Sequence, residues 1–411
     1  MTTEVIIKNK TGLVLAADSA VTVTGMYTQK VYNSANKLFT LSKIDPVGVL
    51  VYNAATINDV PIELIIKEFR QQKNSYENLM EYKDEFIKFV EKFIKEQTDK
   101  ITTEHYFNGF LNFIIKLIDK EKNENQKEPG YSFDMDKFIK KHETGLSQAC
   151  KECNFIEDFS NLSLQKIKKD IKEKQTYETL FQEFKEKTRC SQKVHEFSTL
   201  FYWYLKYSIY QSYTGIAVCG YGTKDYFPKV YLCNIYGVIN GKILVNNNTS
   251  YETANAEIIP LAQRQMIDTF VKGVSDTLYT SLENFYLQNF DIFIDTIIPN
   301  LKENVNLDEL KNRLKQSLYG NAERFKKLVY DLEEQPLLQT INHLSREEMA
   351  ELAENLINIQ VLKYKVSPNL ETVGGPIDVA IISKHDGFVW RKRKLYFPKE
   401  LNHQFFENYF K

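Results

Sequence analysis

A threonine hydroxyl attacks a carbonyl only when a base takes its proton, and a threonine that begins a chain has a base in its own α-amine. Here Thr2 follows Met1. A small second residue favours removal of Met1, which would leave Thr2 with both groups. An α-amine titrates near pH 8, within reach of neutral conditions (pKa roughly 8). Thr2 is therefore the first candidate nucleophile. Cys150-Lys151-Glu152-Cys153 also invites chemistry, with His142 and Cys190 able in principle to complete a metal site. Structural zinc takes four ligands, however, and no second CxxC or His pair stands at suitable spacing, so two ordinary helix cysteines are the plainer reading. His385 and Asp386 adjoin in a polar stretch that reads as a turn.

The elements around Thr2 have to hold it in place. Val5 to Ile7 and Leu13 to Ala17 are apolar runs flanking Lys8-Asn9-Lys10-Thr11-Gly12. That pattern predicts a β-hairpin, with Gly12 supplying the positive φ of a tight turn. Ser19 to Val23 reads as a further strand. After Asp45-Pro46, a turn signal, Val47 to Tyr52 reads as a buried strand. Pro61 and the set Ile62, Ile65, Ile66, Phe69 fit a helix packed on a sheet. A second apolar pair, Thr214 to Gly222 and Lys229 to Gly237, makes another hairpin, with Cys219 and Cys233 in its core. A helix is expected from about Ala254 to Val274, across Pro260. Ser345-Arg346-Glu347-Glu348 reads as a capped helix start running on to about Lys365. Gly374-Gly375 then opens a strand over 377–382.

The opening of the chain closely resembles the proteasome β-subunit family, including the bacterial two-ring peptidases, within the N-terminal-nucleophile hydrolases. The matching residues are Thr2-Thr3, Gly12 and Ala16-Ala17-Asp18, with the Thr2-to-Asp18 spacing unbroken. The resemblance implies Thr2 as nucleophile and Asp18 as a buried carboxylate fixing a neighbouring lysine. Asn33 to Leu38 fit the family's lysine-bearing stretch after a short insertion, which makes Lys37 the candidate; Lys30 and Lys43 are the alternatives. The charge of that lysine would favour the threonine alkoxide, and Asp18 would offset its desolvation. Ala55-Thr56 stands where the family has Gly-Thr, so the Ala55 N–H would serve the oxyanion, with a methyl added beside the substrate. Val373 stands where a serine is expected near the threonine amine. The position of the family's later carboxylate falls near Leu370 or Glu371, so Glu371 fills it or nothing does.

The resemblance covers residues 1–72, 214–275 and 345–395. It implies an α+β fold, a four-layer α-β-β-α sandwich of the N-terminal-nucleophile hydrolase type with added helical insertions. The stretch 73–213 is rich in Lys and Glu with helically spaced Phe, Ile and Leu, and reads as a helical insertion. Residues 276–344 read as a second one and 396–411 as a C-terminal tail. The cluster Phe201-Tyr202-Trp203-Tyr204 with Tyr207, Tyr210 and Tyr213 reads as core or subunit packing.

The 53 basic residues balance 54 acidic ones, which argues against nucleic acid or an anionic membrane as partner. No apolar run approaches the roughly 18 residues of a membrane span, and no signal pattern opens the chain. The odd cysteine count is no disulfide framework, and a reduced, cytoplasmic setting is expected. The expected function is threonine hydrolysis of a peptide or amide bond through an acyl-enzyme, with no cofactor. The alternatives are an inactive binding or assembly protein and a small-molecule amidase. Family likeness implies a homo-oligomer; the sequence names neither the substrate nor an ATPase partner.

Overall fold

Residues Thr3–Asn9 and Gly12–Ala17 are buried along their whole length, so this hairpin is covered on both faces. In the computed structural model, residues 2–24, 29–98, 101–125, 133–152, 162–297, 309, 312–313, 316, 323–368, 373–395 and 397–410 are described. The strands in chain order are β1 (Thr3–Asn9), β2 (Gly12–Ala17), β3 (Val21–Thr24), β4 (Gln29–Tyr32), β5 (Leu38–Thr40), β6 (Val47–Asn53), β7 (Thr56–Ile57), β8 (Val60–Pro61), β9 (Thr214–Gly220), β10 (Lys229–Ile239), β11 (Lys242–Tyr251), β12 (Glu257–Ala262), β13 (Asp378–Ser383) and β14 (Gly387–Lys392). They form two five-stranded antiparallel sheets, ordered β12-β1-β2-β13-β14 and β11-β10-β9-β6-β5, with two short ribbons, β3-β4 and β7-β8. With helices filling much of the remaining chain, the fold is α+β.

Period-two alternation decides which residues meet. Ile6, Leu13, Leu15 and Ala17 of the first sheet share one core with Leu38, Leu50, Ala217, Cys219 and Leu232 of the second. The intervening residues Val5, Ile7, Val14 and Ala16 face α8 (Gln265–Lys272), α10 (Gln335–Ile341) and α11 (Arg346–Lys365), through Ile267, Ile341, Met349, Ala353 and Leu356. The far face of the second sheet, carrying Val49, Val51, Ile216 and Val218, lies under α1 (Ile62–Gln71) and α2 (Leu79–Gln97). Five more helices, α3 (Thr103–Asn125), α4 (Met135–Glu152), α5 (Leu164–Glu173), α6 (Gln175–Thr188) and α7 (Ser198–Tyr210), build a separate aromatic core around Phe107, Phe110, Phe181, Phe197 and Phe201. That core reaches the sheets through Ile239 and Leu244, at the tip of the β10–β11 hairpin. Helix α9 (Asp276–Ile297) follows α8.

Three expectations from the sequence are corrected. Gly12 lies inside β2 and is not a positive-φ residue. Its small size serves a close approach instead, since a Cβ there would sit 2.6 Å from the Ile382 carbonyl oxygen of β13. The turn itself is held by Asn9, whose Oδ1 accepts from the Thr11 N–H at 2.9 Å. The helix expected across Pro260 is strand β12, and helix begins only at Gln265. Pro260 is tolerated because β12 is an edge strand, where one N–H can be spared. The strand expected over 19–23 starts at Val21, leaving Asp18 to Ala20 outside any strand, their backbone groups free to bond around the carboxylate instead of in a ladder. The start of α11 is capped as read, Ser345 accepting from Glu348 N–H and Glu348 from Ser345 N–H.

Candidate active site

The open end of the first hairpin is where β1 begins and β2 stops, so Thr2–Thr3 and Asp18 come side by side. The Asp18 N–H donates to the Thr3 carbonyl at 3.1 Å, and the Thr3 N–H donates to Asp18 Oδ1 at 3.0 Å. Asp18 Oδ2 accepts from the Ala20 N–H at 3.3 Å and from the Gly374 N–H at 2.8 Å. Lys37 Nζ donates to Asp18 Oδ1, both side chains being buried. The carboxylate is thus satisfied on both oxygens, the condition for keeping a charge inside a protein.

Lys37 is brought there by its place at the entry to β5. Its carbonyl accepts from the Val51 N–H of β6 at 2.8 Å, and the stretch before it is tied to the first sheet by the Ala35 N–H to Ser19 carbonyl bond of 3.0 Å. The Ser19 N–H donates to the Gly374 carbonyl at 3.0 Å, and the Ser19 hydroxyl donates to the Pro376 carbonyl. Gly374 and Gly375 both adopt positive φ, and a Cβ on Gly375 would stand 2.9 Å from Asn33 Cβ. The glycine pair therefore lets the chain before β13 fold against both Ser19 and Asn33. Of the other two lysines, Lys30 is exposed with its Nζ over the Tyr32 ring, and Lys43 is exposed.

Thr2 itself is 4% exposed. Its carbonyl accepts from the Gln263 N–H at 2.9 Å, and Thr3 Oγ1 donates to the Gln263 carbonyl at 3.1 Å, so the end of β12 grips it from the other side. Thr2 Oγ1 donates to Glu4 Oε2 at 3.2 Å. Glu4 is wholly buried, and its Oε1 lies 3.7 Å from Lys37 Nζ without a hydrogen bond of its own. Burial pushes the Glu4 carboxyl up to about 8, aided by the Asp18 charge and opposed by Lys37 and by the Thr2 hydroxyl. Sequence reading missed Glu4. The available signal was a carboxylate at the start of a strand whose alternation turns it, like Ile6, toward the space between the sheets.

The structure thus brings Thr2, Asp18 and Lys37 together and adds Glu4. Ala55 stands exposed on the bend after β6, where its carbonyl accepts from the Ile62 N–H at 3.0 Å. Among the described residues it shares no hydrogen bond with the Thr2 group. Leu370 and Glu371 lie outside the described residues, and Val373 is buried. Cys153 also lies outside them. Cys150 is buried with its Sγ 3.8 Å from the Trp203 carbonyl, and His142 packs on Phe138 with ring centroids 4.4 Å apart. Among the described residues no cluster of His, Cys, Asp and Glu could hold a metal, and no helix is long and apolar enough to cross a membrane. Asp386 pairs with Arg346 and accepts from Ser383 Oγ at 2.7 Å, a surface turn remote in role from Thr2.

No family model and no curated protein matches the chain. Among solved structures the chain is similar to an Anbu (Gly-1) mutant from Hyphomicrobium sp. strain MC1, at 12% identity over 99% of this chain and 91% of that one, with a TM-score of 0.31. It is similar to Anbu (ancestral beta-subunit) from Yersinia bercovieri at 9% identity, over 99% and 94% of the two chains, with a TM-score of 0.28. It is also similar to the helical assembly of the Anbu complex from Pseudomonas aeruginosa at 11% identity, over 99% and 93%, with a TM-score of 0.27. Likeness at that level carries no argument about fold or activity. The expectation that the chain belongs with the proteasome β-subunits is corrected accordingly. These neighbours are Anbu proteins, no family model matches, and the Thr-Thr, Gly and Ala-Ala-Asp residues amount to a local likeness of one hairpin.

Proposed function

We propose that the chain is a threonine hydrolase, cleaving a peptide or other amide bond through an acyl-enzyme on Thr2 once Met1 is removed. The observation that carries this reading is the buried Lys37–Asp18 pair, clamped by backbone N–H groups against Thr2–Thr3. Burying an ion pair is costly, and this one stands beside Thr2 and Thr3. The two facing sheets, each covered by helices on its far side, read as the α-β-β-α sandwich such enzymes use.

In the proposed reaction Thr2 Oγ attacks the carbonyl carbon as a base takes its proton, the free α-amine being one such base. The tetrahedral oxyanion is met by a backbone donor, for which Ala55 N–H is the candidate. Collapse breaks the C–N bond, the leaving nitrogen takes a proton, and an ester on Thr2 remains. Water then attacks the ester and restores the hydroxyl. Lys37 supplies positive charge to the site, and Asp18 keeps it anchored. A second reading, a binding or assembly protein without catalysis, is favoured by Ala55, which is exposed and unlinked by hydrogen bonds to the Thr2 group among the described residues.

A panel of short peptidyl amides and simple amides, assayed with the native chain and with Thr2→Ala, tests the proposal. Hydrolysis lost in Thr2→Ala supports it. Equal rates in the two proteins would exclude Thr2 as nucleophile.

A further inference from the structure

We infer that Glu4 is a catalytic residue of this site, the base that receives the Thr2 hydroxyl proton. The inference rests on the threonine hydrolase reading above and gives to Glu4 the proton-accepting role for which the α-amine is the alternative. The geometry is direct: Thr2 Oγ1 donates to Glu4 Oε2 at 3.2 Å, so the proton to be removed already points at a carboxyl oxygen. The other oxygen, Oε1, is buried without a hydrogen bond and lies 3.7 Å from Lys37 Nζ. A buried polar atom left unsatisfied is unfavourable. Its retention here, two residues from the nucleophile, is explained by a group that changes protonation during a reaction.

Each group facing Glu4 has a defined part. Thr2 comes from the residue before β1, Asp18 from the end of β2, and Lys37 from the entry to β5; Tyr52 of β6 is also within electrostatic range. Burial and Asp18 favour the neutral carboxyl, whereas Lys37 and the Thr2 hydroxyl favour the carboxylate. The balance leaves Glu4 exchanging its proton near pH 8, close to the range where a general base is most effective.

In acylation the Thr2 O–H bond breaks, its proton passes to Glu4 Oε2, and the Oγ–acyl bond forms. When the scissile C–N bond breaks, the leaving nitrogen takes its proton from the Thr2 α-ammonium. Glu4 then returns its proton to the α-amine. In deacylation a water proton passes to Glu4 as the hydroxide adds to the ester carbon. The ester C–O bond breaks and Glu4 protonates Thr2 Oγ, so the enzyme ends as it began.

The test uses the full chain and a threonine-directed β-lactone, following the rate of Thr2 acylation by mass from pH 6 to 9. Glu4→Gln keeps the size of the side chain, and thermal melting checks its fold. Its acylation is expected to fall by about 100-fold at pH 8 and to lose much of its rise with pH. Glu4→Asp, which keeps a carboxyl but shortens its reach, is expected to fall by more than about tenfold while retaining a pH-dependent limb. Wild-type rates and pH midpoints in both variants would overturn the role of Glu4 while leaving the hydrolase reading intact, with the α-amine as base. No acylation of Thr2 in the native protein would overturn both.

Discussion

Replacing Glu4 with glutamine should alter how stability depends on pH, independently of any substrate. In the folded chain Glu4 keeps its proton up to about pH 8, whereas in the unfolded chain the same carboxyl releases it near its ordinary value of 4.5. Between those limits the folded state binds one more proton than the unfolded state, so the free energy of unfolding falls as pH rises. The slope is about 1.4 kcal/mol per pH unit, and the whole effect is about 5 kcal/mol. It is absent below pH 4.5 and complete above pH 8. Glutamine has no proton to exchange, so Glu4→Gln should gain on the native protein steadily from pH 5 to pH 8.5. With an unfolding entropy near 2.1 cal/mol/K per residue over 411 residues, that gain corresponds to about 5 °C in Tm. Melting curves of the two proteins in matched buffers at half-unit pH intervals would measure it. A Tm difference that stays constant across the range would refute the reasoning, because it would mean that Glu4 ionises alike in both states.

Lys37→Met leaves the Asp18 carboxylate buried without its cation. It should lower stability by about 3–5 kcal/mol and abolish Thr2 acylation; an unchanged melt would contradict the burial of the pair. Lys30→Met, at an exposed site, should leave both properties near native. Gly12→Ala would place a methyl 2.6 Å from the Ile382 carbonyl oxygen and should cost about 1–3 kcal/mol by forcing β13 away from β2. An unaltered denaturation midpoint would show that the two strands can part without penalty.

The parts of the fold that were legible in the sequence are those where a strong local signal coincides with burial. The apolar runs of β1, β2 and β6 and the Ser345 capping box read directly, because their residues have few other uses. Edge strands were harder. β11 carries Asn246, Asn247 and Asn248, and β12 carries Pro260, so neither has the apolar alternation of a central strand. An edge needs only one hydrogen-bonded side and accepts such residues. Gly12 was misread because turn and close packing both select glycine, and only the partner strand distinguishes them. In the site, Asp18 and Lys37 were named from a local likeness, and they meet across 19 residues of chain. Glu4 escaped notice because a glutamate on a hairpin strand is usually solvent-facing. Its significance depends on Lys37 and Asp18 arriving on the same side of β1, which no local pattern encodes.

The central claim is that Thr2 becomes a free, activated nucleophile. The most direct measurement is the intact mass of the protein from its host, before and after treatment with the β-lactone. Loss of Met1 and a single adduct mapped to Thr2, absent in Thr2→Ala, are the expected result. A retained Met1 with no adduct would contradict it.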